Sequence, residues 1–546
     1  MDYRFYFIYT VEGKVKKATE SNNDFDFTFT ANKNKIKAVL KPKRPLTVNK
    51  FYIERDYRFK DGAKFFANGF QSWTDSKEFV KTDKMDGIGR IGRSIYGRTM
   101  GMDAGGDYNF VNEEKKPGTF HSIGLAYIRG GKEVDFYGSL SDRTGYTIIY
   151  ADMNKNTLTF SKDIEGIIIE KPYEILNVFH AVGEYDWVFD RYFEALEVKP
   201  LTDEKLKGYT SWYNYYEKIN EEVILRDLEA LAPFKDEVGL YQLDDGFETA
   251  VGDWFSVDKK KFPHGLKFIA DAIHEKGFKA GIWLAPFGAK RNSKLAKEHP
   301  DWLVTSLTGQ IVPVGHNWGG FYALDIYNEE ARAYIKSVFD TVFNEWGFDM
   351  VKLDFLYAAA AIPMHGKTRG EIAYDAIDLL RECCGDHPIL ACGAQQLPCF
   401  GKVEYMRIGA DMSLGWPHNF LRRNMHREDV STPNAIANSI YRRGFNGRAF
   451  LCDSDVFLLR RTNIKFTPEQ QALLAQFIKI FGKVLLMSDN IAEYDEEQLK
   501  MFHHIMAEDD TALVDVNEDN GKVFVDYIEN GETKTLRFNL YDGTIY

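Results

Sequence analysis

The chain has 546 residues, 44% of them hydrophobic, which is enough for two or three domains with their own cores. A formal net charge of −12 argues against a nucleic-acid partner, because binding phosphate requires a surplus of basic residues. No run of 18 or more apolar residues occurs, so no membrane-spanning segment is predicted.

The N-terminal residues and the cysteines both indicate the cellular compartment of the protein. Residues 1–10 alternate like a strand and lack the basic start, apolar run and cleavage site of a signal peptide. The cysteines are odd in number and have no CxxC spacing: Cys383, Cys384, Cys392, Cys399 and Cys452. This pattern predicts reduced thiols in the cytoplasm, with neither a disulfide framework nor a zinc site. No metal ion or cofactor is predicted.

Short alternating runs separated by turn residues fill residues 1–186, for example 25–30, 35–40, 157–160 and 166–170. So many short strands favour a two-sheet β-sandwich. One loop stands apart, residues 68–75, which carries Trp73 beside glycine and amide side chains. Either Trp73 caps the sandwich, or the loop reaches into the cleft of a neighbouring domain.

After residue 186 the spacing of apolar residues changes from the alternation of strands to the three- and four-residue spacing of helices. Apolar residues spaced three and four apart after Trp187 predict a helix in a linker over residues 187–207. Eight strands are predicted at 208–212, 238–243, 279–284, 350–353, 389–392, 403–408, 449–451 and 484–487. Helices are predicted between them at 221–231, 266–276, 329–346, 369–384, 433–443 and 468–481. This alternation over residues 208–487 predicts a (β/α)₈ TIM barrel. A doubly wound sheet would fit the alternation too, but its glycine-rich phosphate-binding fingerprint follows none of the strands.

Chemically active side chains follow seven of the eight predicted strands. The segments are Ser211-Trp212-Tyr213, Asp244-Asp245-Gly246, Trp283-Leu-Ala-Pro286, Asp354, Cys392-Gly393, Arg407-Ile-Gly-Ala-Asp411 and Asp453-Ser-Asp455. Barrel enzymes build their sites from these strand ends, so the set predicts one active site. Within a strand, Lys352 and Asp354 point to the same side, which fits either a catalytic site or a structural ion pair.

The residue types suit a sugar. Adjacent carboxylates (Asp244, Asp245) with Lys352 can bind several hydroxyls, and the tryptophans Trp212 and Trp283 offer flat apolar walls. Asp354 and Asp411 remain as a pair of carboxylates for glycosidic chemistry. Their separation, which distinguishes retention from inversion, does not follow from the sequence spacing.

At these residues the chain resembles glycoside hydrolase family 36, the α-galactosidases and their relatives, especially the short single-chain members. The matching segments are Asn68-Gly-Phe-Gln-Ser-Trp73, Ser211-Trp-Tyr-Asn-Tyr-Tyr216, Leu243-Asp-Asp-Gly246, Gly252-Asp-Trp254, Gly281-Ile-Trp-Leu-Ala-Pro286, Lys352-Leu-Asp-Phe355, Cys392-Gly393, Met406-Arg-Ile-Gly-Ala-Asp411 and Cys452-Asp-Ser-Asp-Val456. They occur in the family's order from the sandwich through the barrel.

The resemblance implies an N-terminal β-sandwich, a catalytic barrel and a C-terminal β domain, and a retaining mechanism with Asp354 as nucleophile and Asp411 as acid/base. The residues implied to bind galactose are Asp244, Asp245, Lys352, Arg407, Cys392, Gly393, Trp212, Trp283 and Trp73. Longer relatives carry a bulkier, Trp-containing motif around the nucleophile, where this chain has Phe355-Leu356 followed by four alanines at 358–361. The pocket beyond the cleaved bond and the oligomeric state therefore stay open.

Residues 488–546 alternate cleanly in three runs joined by turn residues, which predicts a small antiparallel β domain without chemistry of its own.

We therefore expect an exo-α-galactosidase acting on galactosides or oligosaccharides. Within the family, a galactosyl-transferring transglycosidase and an α-N-acetylgalactosaminidase stay open. Outside it, two alternatives are a non-catalytic sugar-binding protein and a metal-dependent barrel enzyme with four aspartates as ligands: Asp244, Asp245, Asp453 and Asp455.

Overall fold

The computed structural model describes residues 3–111, 115–416 and 426–546. Within these ranges the chain forms two N-terminal β-sheets, a closed barrel of parallel strands and a small C-terminal sheet. This architecture confirms the predicted β-sandwich, (β/α)₈ barrel and antiparallel end. None of the helices in these ranges is long and apolar enough to cross a membrane.

The N-terminal strands pack as two facing sheets. Their bounds are β1 Tyr3–Val11, β2 Lys14–Ala18, β3 Phe25–Ala31, β4 Lys35–Pro42, β5 Thr47–Asp56, β6 Lys64–Ala67, β7 Lys77–Phe79, β8 Thr119–Ile123, β9 Leu125–Gly130, β10 Glu133–Ser139, β11 Thr147–Asp152, β12 Thr157–Lys162 and β13 Tyr173–Glu184. One sheet has the order β2-β1-β5-β12-β11-β8 and the other β3-β4-β13-β10-β9-β6-β7. Alternate residues such as Phe7, Leu40 and Ile53 point between the sheets and are fully buried.

The predicted strand at 166–170 is not formed. Only Ile169 pairs, in an isolated bridge with Leu46. Ile167 and Ile169 are buried while Ile168 is exposed, so the alternation reflects a loop laid against the core and not a ladder of hydrogen bonds.

Two short helices, α1 Arg90–Arg93 and α2 Ile95–Thr99, precede the longer α3, Tyr185–Leu196. Helix α3 buries Val188, Phe189 and Tyr192. Tyr192 packs on Phe136 of the sandwich, and Phe189 packs on Phe445 of the barrel. The helix therefore joins the two cores.

The following strands form the barrel and a sheet inserted into it. Their bounds are β14 Leu206–Thr210, β15 Leu240–Leu243, β16 Lys279–Leu284, β17 Gly288–Lys290, β18 Pro313–Gly315, β19 Phe321–Ala323, β20 Met350–Leu353, β21 Ile389–Ala391, β22 Tyr405–Arg407, β23 Leu451–Phe457 and β24 Val484–Met487. The barrel closes in the order β14-β15-β16-β20-β21-β22-β23-β24, and β17, β19 and β18 form the inserted sheet. Helices α4 Trp212–Tyr215, α5 Glu221–Leu231, α6 Leu266–Glu275, α7 Lys294–Glu298, α8 Glu329–Asp340, α9 Arg369–Cys384, α10 Gln396–Cys399, α11 Thr432–Tyr441 and α12 Pro468–Phe481 accompany these strands.

Two barrel strands end more than one residue away from their predicted ends. Strand β14 ends at Thr210, and Trp212 already begins α4. Strand β23 runs to Phe457, so Asp453 and Asp455 lie inside the strand and not after it. A bulge between Asp453 and Val456 permits this, with Asp455 in the left-handed region at φ 79°.

The C-terminal residues form helix α13 Glu496–Met506 and strands β25 Ala512–Asp519, β26 Lys522–Glu529 and β27 Glu532–Asn539. Helix α13 was not predicted from the sequence. Its signal was the capping box formed by Asp495 and Gln498, followed by the buried face of Phe502, Ile505 and Met506.

Candidate active site

A cavity of about 240 Å³ lies at the C-terminal end of the barrel strands. Of the described residues, those that line it are Gln71, Trp73, Gly101, Met102, Gly105, Trp212, Glu217, Asp244, Asp245, Trp283, Gly315, His316, Asn317, Trp318, Lys352, Asp354, Phe355, Tyr357, Asp411, His426, Glu428, Asp429 and Val430. Eight of the predicted site residues are among them. The barrel, its inserted sheet and the N-terminal region all contribute to the wall.

Asp354 follows β20 and is held by two N–H donors. The indole Nε1 of Trp283 donates to Oδ2 at 3.1 Å, and the backbone N–H of Phe355 donates to Oδ1 at 2.9 Å. Phe355 adopts a left-handed conformation (φ 55°), which turns the chain sharply after the carboxylate. Burial raises the pKa of Asp354, Lys352 lowers it and Asp411 raises it.

Lys352 of β20 forms a buried ion pair with Asp244, which follows β15, two strands away in the barrel. Its Nζ lies 2.9 Å from Oδ2 of Asp244, and both side chains are more than 90% buried. The same oxygen also accepts from Gln242 at 2.9 Å and Thr210 at 3.1 Å. This network fixes a cation within the field of Asp354.

Asp245 lies beside a second acidic group. Its Oδ2 accepts a hydrogen bond from the Nε1 of Trp318 at 3.0 Å. Burial and the neighbouring Glu248 carboxyl raise the pKa of Asp245 well above its ordinary value. Two buried carboxyls side by side favour retaining a proton between them.

Arg407 is buried among three carboxylates. Its Nη1 contacts Asp411 at 2.9 Å, its Nε contacts Asp453 at 2.8 Å and its Nη2 contacts Asp455 at 2.8 Å. The Tyr213 hydroxyl donates to Asp455 at 2.5 Å, and burial raises the pKa of Asp455 to about 6. Asp411 is the member of the cluster that reaches the cavity.

Trp73 lies in the cavity wall, although its loop belongs to the N-terminal region. Its ring packs edge-on against Phe355 at 4.9 Å and Tyr357 at 5.9 Å between centroids. Its Nε1 donates to Sγ of Cys392 at 3.4 Å. A Cβ at Gly393 would lie 2.8 Å from this ring, so glycine allows the indole to seat closely.

The remaining predicted residues divide into two groups. Trp212 and Trp283 line the cavity, Trp212 edge-on to Tyr216 and Trp283 in contact with Trp254. Cys392, Gly393 and Arg407 contact lining residues but are not among the described residues that line the cavity.

Insertions between the barrel strands contribute a part of the cavity wall that was not predicted from the sequence. Trp318 and His316 lie between β18 and β19, and Glu428 lies after β22. Trp318 has φ 55° and is followed by Gly319 and Gly320, also at positive φ. The Trp-Gly-Gly run was the available signal, because it marks a tight turn that carries an aromatic ring.

Arg442 holds residues 68–75, the Trp73 loop, against the barrel. Its guanidinium is fully buried and donates to the side chain of Asn68 at 3.0 Å. It also donates to three carbonyls of the loop and to one of the barrel. These acceptors are Gly69 at 3.3 Å, Gln71 at 3.1 Å, Ser72 at 2.6 Å and Ile408 at 2.8 Å. Among the described residues it forms no ion pair, and burial lowers its pKa to about 9.

Arg442→Lys is expected to loosen the Trp73 loop. A single ammonium cannot satisfy acceptors arranged around a planar fork, and each unsatisfied buried carbonyl costs about 1–3 kcal/mol. We expect a lower melting temperature and stronger acrylamide quenching of the chain's tryptophan fluorescence, because Trp73 becomes more accessible. The matched control is Arg443→Lys, because Arg443 is the next residue and stacks on Tyr185 away from the loop. Equal stability and quenching in the two variants would contradict the role of Arg442.

With this geometry established, comparison with known proteins identifies relatives of the chain. Residues 209–377 match the family model described as Melibiase. The chain is 31% identical over 160 residues to α-galactosidase 1 of Pediococcus pentosaceus, covering 26% of this chain and 21% of that protein. It is 28% identical over 199 residues to an α-galactosidase of Escherichia coli, covering 34% and 27%. The matched segments thus span about a quarter of these relatives' length.

Solved structures extend the likeness to nearly the whole chain. The α-galactosidase of Thermus thermophilus in complex with p-nitrophenyl α-D-galactopyranoside superposes with a TM-score of 0.72 at 24% identity, covering 96% of this chain and 98% of that one. Its complex with stachyose gives a TM-score of 0.71 at 25% identity, covering 92% and 99%. Together these comparisons confirm the resemblance to the glycoside hydrolase family 36 α-galactosidases.

Proposed function

We propose that the chain is a retaining exo-α-galactosidase, which removes terminal α-linked galactose from oligosaccharides by double displacement. The observation that carries the proposal is the meeting of Asp354 and Asp411, from different barrel strands, on the wall of one small cavity. The electrostatic influence of Asp411 on the pKa of Asp354 reflects their proximity. The relatives named as α-galactosidases support the choice of sugar.

In the first step, a carboxylate oxygen of Asp354 attacks the anomeric carbon while the bond to the leaving oxygen breaks. Asp411 gives its proton to that oxygen, and a galactosyl ester of Asp354 forms. In the second step, Asp411 takes a proton from water, whose oxygen displaces the ester. Two inversions release galactose with its original anomeric configuration. The N–H groups of Trp283 and Phe355 hold the nucleophile in orientation throughout.

The other residues would bind the sugar or position the catalytic pair. We assign the galactose hydroxyls to Asp245 and to the Lys352–Asp244 pair, and the apolar ring face to the indoles of Trp212 and Trp283. Arg407 would act by fixing Asp411. Cys392 and Gly393 would act by seating Trp73 beside the sugar.

Three of the four carboxylates of the metal-enzyme alternative are engaged in ion pairs. Asp244 is paired with Lys352, while Asp453 and Asp455 are paired with Arg407. A carboxylate already neutralised by a buried cation is a poor ligand for a hard metal ion, which favours the glycosidase proposal.

The test is hydrolysis of p-nitrophenyl α-galactoside, followed by NMR of the sugar first released. α-Galactose at early times supports retention, whereas β-galactose would mean inversion. The α-glucoside and the α-N-acetylgalactosaminide serve as parallel substrates, and preference for either would reassign the substrate. Lengthening of oligosaccharide products at high substrate concentration would favour transglycosylation. No turnover of any substrate would favour the sugar-binding alternative.

Trp73→Ala is expected to lower kcat/KM, with a loss of about 1–3 kcal/mol of transition-state stabilisation. The reason is that the variant loses a partly buried aromatic wall. The opened wall would also admit water to the reacting centre. The matched control is Trp187→Ala, a half-exposed tryptophan on helix α3. Unchanged kinetics for Trp73→Ala would return this residue to a purely structural role in the sandwich.

We further propose a cytoplasmic location. The five cysteines are free thiols, and four of them are buried, which suits a reducing compartment.

A further inference from the structure

A second cavity, of about 480 Å³, lies on the outer face of the sheet that contains β1, β5, β11 and β12. Its described lining residues are Arg4, Phe5, Tyr6, Ile8, Lys50, Tyr52, Glu54, Met85, Asp86, Lys115, Thr119, Phe120, His121, Tyr150, Ala151, Asp152, Lys155, Thr157 and Thr159. None of them lines the cavity of Asp354. We infer that this face, which we call the tyrosine face, is a second carbohydrate site that binds a neutral oligosaccharide.

A row of aromatic rings lies along this face. Tyr6 and Tyr52 are paired across β1 and β5, with ring centroids 6.4 Å apart and planes at 25°. Tyr150 of β11 lies 6.4 Å from Tyr52, and His121 of β8 lies 6.2 Å from Tyr150. The row crosses most of the sheet, and the planes of Tyr52 and Tyr150 meet at 62° and those of Tyr150 and His121 at 50°. It therefore presents aromatic faces and edges over a length that exceeds one ring. Such surface suits the C–H faces of successive sugar residues.

The outward direction of these rings follows from the strand pattern. The residues flanking each tyrosine, such as Phe7, Phe51 and Ile149, are fully buried in the sandwich core. Because side chains alternate along a strand, the tyrosines must face away from that core. Tyr6 remains 37% exposed. Tyr150 also packs against the larger hydrophobic core at its base. The amphipathic character of these rings suits a wet binding surface.

Polar and charged side chains surround the row of rings. Thr157 and Thr159 of β12 supply hydroxyls that can both donate and accept. Two ion pairs flank them, Arg4 with Glu54 at 2.8 Å and Lys155 with Asp152 at 3.0 Å. Hydroxyls, carboxylates and ammonium groups together match the mixed donors and acceptors of a polyol.

The balance of charge favours a neutral ligand over an anionic one. Of the described lining residues, four carry a basic side chain (Arg4, Lys50, Lys115, Lys155) and three carry an acidic one (Glu54, Asp86, Asp152). A phosphate or nucleic-acid site would require a clear basic surplus. The concave shape also favours an oligosaccharide over the flat surface of another protein, so self-association is the competing outcome of the test.

The test is affinity electrophoresis of the full chain in native gels with and without galactomannan. Asp354→Ala serves as the parent so that the polymer is not cut, and excess free galactose occupies the first cavity. We expect the polymer to retard the parent, and Tyr52→Ala to weaken this binding by roughly three- to tenfold, the loss of one aromatic contact. Tyr6→Ala, at the more exposed ring, should weaken it likewise. Tyr546→Ala, a half-exposed tyrosine in the C-terminal region, should leave it unchanged.

The tyrosine variants, made in the wild-type chain, should keep their melting temperature and their kcat/KM for p-nitrophenyl α-galactoside. If the chain proves to lack that activity, the gel result still decides this inference. Absence of retardation in the parent, or equal retardation of parent and both variants, would overturn it. So would a change of the variants' mass in light scattering, which would make the tyrosine face a contact between copies of the chain.

Discussion

Asp354→Ala is expected to lower kcat by on the order of 10⁴-fold or more, because the first step has no other nucleophile in place. The fold should survive, since the carboxylate accepts only two described hydrogen bonds, from Trp283 and Phe355. Added azide should restore turnover by entering the space that the carboxylate leaves. Attack from that side inverts the anomeric carbon, so NMR should identify the product as β-galactosyl azide.

The matched control for this experiment is Asp349→Ala. Asp349 directly precedes the same strand, β20, but lies at its opposite end and is 42% exposed. Its loss should leave kcat near the wild-type value. Wild-type hydrolysis by Asp354→Ala, or azide rescue that yields the α-azide, would end the assignment of Asp354 as nucleophile.

Lys352→Met is expected to have the second largest effect, on both activity and stability. Removing the lysine leaves Asp244 as an uncompensated buried charge, and breaking such a pair costs about 3–5 kcal/mol of folding free energy. Losing the contact to the sugar should lower kcat/KM as well. Adding Asp244→Asn should recover part of the stability but none of the activity, as urea denaturation and steady-state kinetics would show.

The pH profile separates catalysis from structure in this variant. Asp354 must be ionised to attack, so activity falls as pH drops through its pKa. Burial raises that pKa, and Lys352 lowers it by stabilising the carboxylate. Lys352→Met should therefore shift the acidic limb of kcat/KM to higher pH, whereas Lys352→Arg should hold it near the wild-type position. If Lys352→Met lost stability while kcat/KM and the position of the acidic limb of its pH profile stayed unchanged, the Lys352–Asp244 pair would be purely structural.

Regular periodicity accounts for what the sequence predicted well. Strand β20 and helices α5, α9 and α12 lie where the apolar pattern places them, because each buries one face in the barrel wall. The prediction for β23 stopped short because Asp453-Ser-Asp455 has the polarity of a loop. Those carboxylates stay in a buried strand because Arg407 neutralises them, a tertiary contact that local sequence does not encode.

Two parts of the candidate site could not be found by periodicity. Trp318 depends on a turn with positive φ within an irregular insertion, where no period exists to detect. Arg442 follows helix α11 and has the appearance of a solvated cation in the sequence. Only the fold shows that it is buried against loop carbonyls. Placing Trp73 near the barrel rested on family resemblance, because its own segment gave two equally consistent interpretations.

The hydrogen bonds between Arg442 and the Trp73 loop also constrain when the cavity can form during protein synthesis. Asn68 and Arg442 are 374 residues apart in the chain. At ribosomal rates of about 5–20 residues per second, Arg442 is synthesised roughly 20–75 s after the loop that it binds. During that interval the sandwich can fold, but the Trp73 loop lacks its hydrogen-bond partner Arg442. A nascent chain that ends before Arg442 therefore lacks a complete cavity. We expect the cavity to form only after translation has passed β23, the seventh barrel strand, which follows Arg442.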